Sequence, residues 1–295
     1  MNYNLHQLHI FTIVAKKRSI TKASEALYMT QPAVSIQLKQ LQESIGLPLF
    51  EFIGKQFFLT QAGEKLLECN LDISQALDRL EQEMQGLKGM KTGTLNVSVV
   101  SSAKYFMPNI LGKFREKFPQ IKVKLEVSNR LLVKNHLLEN ETDFGIYSVI
   151  DTTIQSEHIS FLDNPLVFIA APNSEHANIS TLGGLAEAPF INREMGSGTR
   201  IKLEEFLKSK EIKPEIVMEL ATTEAVKQAV MAGFGVSLVT KYAIKQELQT
   251  GAVKILDIPG APLASHWHLK WLSGKHLSPA AKEFKSFLLS GDFNF

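Results

Sequence analysis

Three short runs in this 295-residue chain combine hydroxyl groups with the start of a helix: Ser101–Ser102, Gly196-Ser-Gly-Thr-Arg200 and Thr222–Thr223. Where a strand ends and a helix begins, such residues leave hydroxyls and unpaired backbone N–H groups at the positive end of the helix dipole. That arrangement suits a phosphate or a carboxylate. Arg200 adds a charge partner to the second run. Each run alone is equally an ordinary cap with a flexible turn, the commoner use of serine and threonine. Three in corresponding positions tilt the reading toward an anion site. An enzyme is the competing reading, with the Gly-Ser-Gly-Thr loop cradling a substrate phosphate and one of eight histidines serving as base. Against it, there is no Gly-x-x-x-x-Gly-Lys-Ser/Thr loop, no His-Glu-x-x-His and no nucleophile elbow, and Gly233-Phe-Gly235 lacks the third glycine of a dinucleotide site. His266 and His268 alternate along a strand and share a face, but two histidines without a third ligand are more often core or surface residues than a metal site.

A second set of residues suits the edges of bases. Ile20, Ala23 and Leu27, then Val34, Leu38, Leu41 and Ile45, recur at helical spacing on either side of the polar break Tyr28–Thr30, which is the pattern of a helix-turn-helix. Leu5, Leu8, Phe11 and Ala15 supply an earlier helix. Thr30 is placed as the N-cap of the third helix, with Pro32 in its first turn, where the missing N–H costs nothing. Opposite the apolar stripe stand Gln31, Ser35, Lys39 and Gln42, with Ala33 and Ile36 beside them. An amide pairs bidentately with adenine, a hydroxyl reaches several bases and an aliphatic group meets a thymine methyl, so the face can read a major groove. On that helix alone, a plain solvated face explains it as well. The next stretch shifts the balance: Leu49–Phe50, a turn at Gly54–Lys55 and the apolar run Phe57–Thr60 make a wing, with Lys55 placed to reach a phosphate.

The elements behind this head change character. Gln61 to Lys88 contains no proline, and Leu66, Ile73, Leu80 and Leu87 recur every seven residues, with Leu77 and Met84 between them, as in a coiled-coil seam. Asn70 is the polar exception, either fixing register in the seam or lying at an exposed helix end. The polar run Met90–Thr94 reads as a hinge. Beyond it, strands at Thr94–Val100, Lys122–Val127 and Phe144–Ile146 accompany a helix over Tyr105–Phe118, and the pattern repeats through Val167–Ala171, Phe190, Val217–Leu220 and Val236–Val239. The expectation is two similar α/β halves with mostly parallel strands, the strand near Trp267–Trp271 and the helix Pro279–Leu289 returning to the first half. A ligand of such a fold lies between the halves, at strand C-termini and helix N-termini.

Composition bounds the rest. Charged residues make up 21% and hydrophobic residues 44%, with a net charge of +2, the balance of a globular chain. Residues 1–60 carry six basic side chains against three acidic ones, so the positive excess sits on the helix-turn-helix. The apolar run Ile10–Ala15 is followed by Lys16, Lys17 and Arg18, the reverse of a secretory signal, and no span has the length of a membrane helix. With a single cysteine, Cys69, the reading is cytoplasmic, with no membrane partner. A solute-binding protein shares the two-lobed plan, but neither the missing signal sequence nor the N-terminal helices fit it.

The runs Ile20-Thr-Lys-Ala-Ser-Glu-Ala-Leu27, Thr30-Gln-Pro-Ala-Val-Ser35, Leu49-Phe-Glu51 and Leu59-Thr-Gln-Ala-Gly63 resemble the LysR-type transcriptional regulators from about residue 5 to residue 65. Two departures stand out: Phe52 replaces the usual arginine after Leu-Phe-Glu, and the basic pair at the wing turn is reduced to Gly54–Lys55. The resemblance implies an α/β chain with an α-rich N-terminal domain. Residues 1–60 form a winged helix-turn-helix, 61–88 a linker and dimerisation helix, 89–93 a hinge, and 94–295 a two-lobed effector domain like the type 2 periplasmic binding proteins. Lobe 1 is expected at about 94–168 and 265–295, and lobe 2 at about 169–264. It implies a dimer or tetramer on inverted repeats in double-stranded promoter DNA, contact with RNA polymerase, no enzymatic activity and no cofactor. DNA contacts are expected at Thr21, Ser24, Thr30, Gln31, Pro32, Ser35, Ile36, Lys39 and Lys55, and dimer contacts at Leu66, Ile73, Leu77, Leu80, Met84 and Leu87. Ser101-Ser-Ala-Lys-Tyr-Phe106, Gly196-Ser-Gly-Thr-Arg200 and Val226-Lys-Gln-Ala-Val-Met-Ala-Gly233 look most like the regulators of Rubisco and carbon-fixation operons, the CbbR and CmpR group. That group implies a small anionic effector held by Ser101, Ser102, Asn129, Ser197, Gly198, Thr199, Arg200 and Thr223.

Overall fold

The computed structural model describes residues 3–54, 56–87, 91–150 and 152–293. The wing-tip Lys55, residues 89 and 90 of the expected hinge, and the Leu87 side chain lie outside what is described. Two compact units emerge, residues 1–81 and 82–295.

In the first unit, helices α1 (Leu5–Lys17), α2 (Ile20–Ala26) and α3 (Gln31–Ile45) form where the apolar spacing places them. A capping box starts α1: Gln7 N donates to Asn4 Oδ1 at 2.9 Å and Asn4 N to Gln7 Oε1 at 3.1 Å. Tyr28 takes the left-handed conformation between α2 and α3, and Met29 N donates to Ser24 O at 2.9 Å to close the turn. Leu8, Ile10, Phe11, Val14, Ala23, Val34, Leu38 and Leu41 form one core, closed by Leu49 and Phe57 of the wing. The wing is the antiparallel pair β1 (Phe50–Ile53) and β2 (Gln56–Leu59).

Helix α4 (Gln61–Leu87) is tied to this core at its start. Thr60 Oγ1 donates to Pro48 O at 2.6 Å and accepts from Gly63 N at 3.1 Å. Position 63 must be glycine, because a Cβ there would overlap the Leu49 carbonyl oxygen. Leu66 and Leu67 pack on the winged core. Asn70 Nδ2 donates to Leu8 O at 2.8 Å and to Thr12 Oγ1, so this asparagine docks α4 on α1 and belongs neither to a seam nor to an exposed end. Further along, Ile73, Leu77, Leu80 and Met84 stand 40–53% exposed.

The second unit has two lobes. Lobe 1 contains β3 (Gly93–Val100), α5 (Met107–Lys117), β4 (Ile121–Ser128), α6 (Arg130–Leu138), β5 (Phe144–Tyr147) and β6 (Ser156–Asp163). The chain then builds lobe 2 from β7 (Leu166–Ala170), α7 (Leu182–Glu187), β8 (Phe190–Arg193), α8 (Gly198–Ser209), β9 (Ile216–Leu220), α9 (Thr223–Met231), β10 (Ser237–Thr240), α10 (Lys245–Thr250) and β11 (Lys254–Ile255). It returns to lobe 1 with β12 (His266–Leu272) and α11 (Pro279–Ser290). The lobe 1 sheet has the order β4-β3-β5-β12-β6. Its first three strands are parallel and β12 runs antiparallel to both neighbours. In lobe 2, β7 pairs antiparallel with β10 and β11, while β8 and β9 are parallel. The lobe 1 sheet is therefore mixed, and lobe 2 joins an antiparallel sheet to a parallel pair, so the strands are not mostly parallel. Since β7 belongs wholly to lobe 2, the crossover lies before Leu166, ahead of the expected boundary at residue 168. Lobe 1 is filled by Phe106, Phe114, Phe144, Trp267 and Phe284, lobe 2 by Phe168, Phe190 and Phe206. The expected helix over Tyr105–Phe118 starts later, with Pro108 in its first turn, and Ser101–Tyr105 is a separate 3-10 turn.

Candidate DNA-reading face and effector cleft

On α3, Gln31, Pro32, Ser35, Ile36 and Lys39 are exposed, opposite the buried Val34, Leu38 and Leu41, and Thr21 and Thr30 are exposed beside them. Thr30 holds the N-cap position without a side-chain cap bond. Lys39 lies 3.8 Å from Glu43, both well exposed, a pairing worth little in water. Ser24 departs from expectation: it is buried, and its hydroxyl donates to Thr21 O at 2.8 Å within α2. Gln42 also leaves the face, its Oε1 accepting from Leu49 N at 2.8 Å, which anchors the chain entering the wing. At the wing, Phe52 is 53% and Ile53 62% exposed, so the substitution at Phe52 leaves an apolar edge where a charge was expected.

In the second unit, Ser101, Ser102, Asn129, Ser197 and Gly198 converge on one cavity between the lobes, together with Arg130, Tyr147, Ser148, Arg193 and Glu194. The cavity measures about 20 Å³, space for one water. Each contributor has a local cause. Ser101 and Ser102 begin the 3-10 turn after β3, and Asn129 caps α6 by accepting from Leu132 N at 2.9 Å. Ser197 sits at the N-cap of α8 with its hydroxyl not used as a cap, leaving first-turn N–H groups at a positive helix end. A Cβ built on Gly198 would lie 2.5 Å from Ser148 Oγ, so glycine at this position lets α8 close against lobe 1.

The charge at the centre is Arg193, which the sequence reading missed. Only 6% of its side chain is exposed. It donates through Nη1 to Thr223 Oγ1 at 2.7 Å and through Nη2 to Ser101 Oγ at 3.3 Å, linking the lobes. Its Nε and Nη2 grip the two carboxylate oxygens of Glu194 at 2.7 and 2.8 Å. Arg200, the expected charge partner, does not line the cavity. Its guanidinium pairs with Glu204 and Glu219 and donates to Arg193 O at 2.9 Å, bracing the end of β8; Glu204 foremost holds its pKa above the ordinary value. Thr199 is buried in the first turn of α8 and does not line the cavity, so the helix start offers its backbone rather than its hydroxyl. Thr223 takes part indirectly, through Arg193, while its neighbour Thr222 is an ordinary cap for Ala225 N.

A second clasp flanks the first. Tyr105 OH of lobe 1 donates to Glu224 Oε2 of lobe 2 at 3.2 Å, and burial, reinforced by Glu224, pushes its pKa up. Lys227, 5% exposed, bridges Glu224 and Glu247. Burial pulls the Lys227 pKa down, but the two carboxylates more than offset this and the net direction is up. His266 and His268 do share a face of β12, and His158 of β6 joins them, its ring centroid 5.7 Å from that of His268. Burial, then the two neighbouring histidines, depress His268 to about 4. Among the described residues no such group is arranged to hold a metal.

The chain matches the family described as bacterial regulatory helix-turn-helix protein, lysR family, over residues 5–64, and the LysR substrate binding domain over residues 88–292. It is 38% identical to the HTH-type transcriptional activator CmpR of Synechocystis over 99% of this chain and 96% of that one. To the RuBisCO operon transcriptional regulator of Allochromatium vinosum it is 39% identical, over 98% and 97% respectively. Its effector domain resembles the Synechocystis CcmR regulatory domain in complex with 2-PG, with a TM-score of 0.64 and 33% identity over 68% of this chain and 98% of that one. The full-length fold resembles CbnR complexed with its target DNA, with a TM-score of 0.72 at 19% identity over 98% and 100%. No described helix is long and apolar enough to cross a membrane. The relatives are transcriptional regulators and not enzymes, and with both halves matched along nearly its whole length, the chain belongs to the LysR family of DNA-binding transcriptional regulators.

Proposed function

We propose that this regulator acts in the cytoplasm as a dimer or a dimer of dimers on inverted-repeat promoter DNA of carbon-fixation genes, together with RNA polymerase, and that a small phosphorylated or carboxylated metabolite in the interlobe cavity modulates its binding. One observation carries the effector reading: a buried arginine, four serines and an uncapped helix start line one cavity between lobes. A guanidinium fork and helix N–H groups recognise phosphate and carboxylate oxygens by charge and by geometry together. Similarity to CmpR and to a Rubisco operon regulator supports the gene class, and similarity to CcmR with 2-PG makes 2-phosphoglycolate the first metabolite to try. On α3, Gln31 and Ser35 read bases and Pro32 and Ile36 add apolar contact, while Lys39, the N-cap Thr30, Thr21 of α2 and Lys55 of the wing serve the backbone. Exposed Ile73, Leu77, Leu80 and Met84 pair two copies along α4.

The test is a footprint on the DNA flanking the protein's own gene, with and without 2-phosphoglycolate and a panel of related anions. Protection of an inverted repeat whose extent changes with one metabolite supports the proposal. Protection that ignores every metabolite removes the effector half.

A further inference from the structure

The Arg193 fork that would recognise an effector anion is already engaged by the chain itself. Strand β8 ends at Arg193, and in a continuing strand Glu194 would point to the opposite face. Instead the chain turns, with Ser197 N donating to Glu194 O at 3.2 Å, and the Glu194 carboxylate folds back onto its neighbour. The contact is bidentate, both oxygens meeting the Nε and Nη2 edge of the guanidinium at 2.7 and 2.8 Å, the same edge geometry that a carboxylate or phosphate ligand uses. Glu194 lines the cavity, and with it in place the remaining space is about 20 Å³, of the order of a single water. Its side chain is 27% exposed against 6% for Arg193, so the carboxylate has an outward path and the guanidinium has none.

Building on the effector reading above, we infer that Glu194 is a tethered competitor, a built-in anion that occupies the Arg193 fork in the unliganded protein and must be displaced by the effector's own phosphate or carboxylate. Such a device sets the concentration at which the regulator responds. A ligand that binds only the displaced state has its apparent Kd multiplied by the reciprocal of that state's population, so a pair formed about nine-tenths of the time raises the apparent Kd about tenfold. It also selects for charge, because leaving Arg193 buried without a counter-anion is costly and a neutral ligand cannot replace what it displaces.

The experiment is isothermal titration calorimetry of the full chain with 2-phosphoglycolate and with inorganic phosphate, on wild type, Glu194→Gln, Glu194→Asp and Arg193→Gln. Thermal melts of each, with and without ligand, accompany the titrations. We expect Glu194→Gln to bind about tenfold more tightly, because the neutral amide competes poorly for the guanidinium. Glu194→Asp, charged but one methylene shorter, should fall between. The unliganded Glu194→Gln protein should melt lower than wild type and gain more in Tm from ligand, whereas a merely structural glutamate would lower both melts equally. Wild-type binding that is lost in Arg193→Gln but unchanged or weakened in Glu194→Gln overturns the competitor role and leaves the cleft reading standing. No binding by any form, or binding indifferent to Arg193→Gln, overturns the cleft reading and the competitor with it.

Discussion

Leu80→Asp tests the pairing of two copies along the linker helix. Leu80 is 53% exposed on a stripe with Ile73, Leu77 and Met84, and none of the four belongs to the winged core, on which α4 stays docked as far as Asn70. Fully burying a leucine is worth about 1.5–3 kcal/mol, so covering the exposed half of Leu80 contributes about 1 kcal/mol. A two-fold axis presents the residue twice, which makes about 2 kcal/mol per dimer. Four such positions give about 8 kcal/mol, comparable with the translational and rotational cost of association, about 4–15 kcal/mol. The seam thus has little to spare. Leu80→Ala should raise the dimer Kd about thirtyfold. Leu80→Asp removes the same contact and puts a charged carboxylate into the apolar seam from each copy, costing at least about another factor of ten. Sedimentation velocity across a dilution series reads the constant directly, and circular dichroism checks that the variant keeps its helices. A dimer constant for Leu80→Asp within threefold of wild type would refute the reasoning and put dimerisation on another surface.

Other perturbations bear on the remaining sites. Gln31→Ala or Ser35→Ala should weaken binding to the specific site by about 1–3 kcal/mol while affinity for random DNA holds, and an equal loss on both in gel-shift competition would remove the base-reading role. Gly198→Ala puts a Cβ within 2.5 Å of Ser148 Oγ across the cleft, so effector affinity measured by calorimetry should fall several-fold and Ser148→Ala should restore it; additive effects of the two changes would contradict that contact. His268, depressed to about 4, is a proton acceptor in the unfolded chain but not in the folded one between that pH and about 6.5. Its contribution is therefore present above about pH 6.5 and is lost as pH falls toward 4, and the urea midpoint of His268→Gln should fall less steeply across that window than that of wild type. Parallel curves would show that His268 is not buried as described.

Much of the fold was legible because period and chemistry agreed. The three N-terminal helices follow from apolar spacing at Leu8, Phe11, Val34, Leu38 and Leu41, and the wing from a glycine turn between aromatic runs. The cleft was legible in its hydroxyls, since Ser101, Ser102 and Ser197 sit at strand-to-helix junctions that punctuation in the sequence marks. Its charge was not. Arg200 lies inside the glycine-rich run and draws attention, while Arg193 is the last residue of a four-residue strand whose apolar signal is limited to Phe190 and Ile191. Ligands gather at the C-terminal ends of strands, and that rule applied to β8 would have pointed to Arg193. The roles of Ser24 and Asn70 were lost for another reason: a polar side chain that bonds a backbone carbonyl of its own or a neighbouring helix looks, in sequence, like one facing solvent or a partner. Strand β6 escaped because Ser156–Asp163 mixes charged, polar and apolar residues without a clean alternation, as befits an edge strand covered on one side only.

The order of the lobe 1 sheet has a consequence for how the protein comes off the ribosome. Strand β12 is inserted between β5 and β6 and is the neighbour that holds β6 in the sheet, yet more than a hundred residues separate His266 from Asp163. Lobe 2 lies entirely between them in sequence, so it can close its core while the chain is still being made, whereas lobe 1 waits with Phe114 and Phe144 uncovered until Trp267, Trp271 and Phe284 arrive. Nascent chains halted before β12 should therefore carry a protease-resistant core from lobe 2 and a lobe 1 that chaperones hold. Loss of residues 266–295, which carry β12 and α11 alone, should give an aggregating polypeptide rather than a regulator that is merely insensitive to its effector.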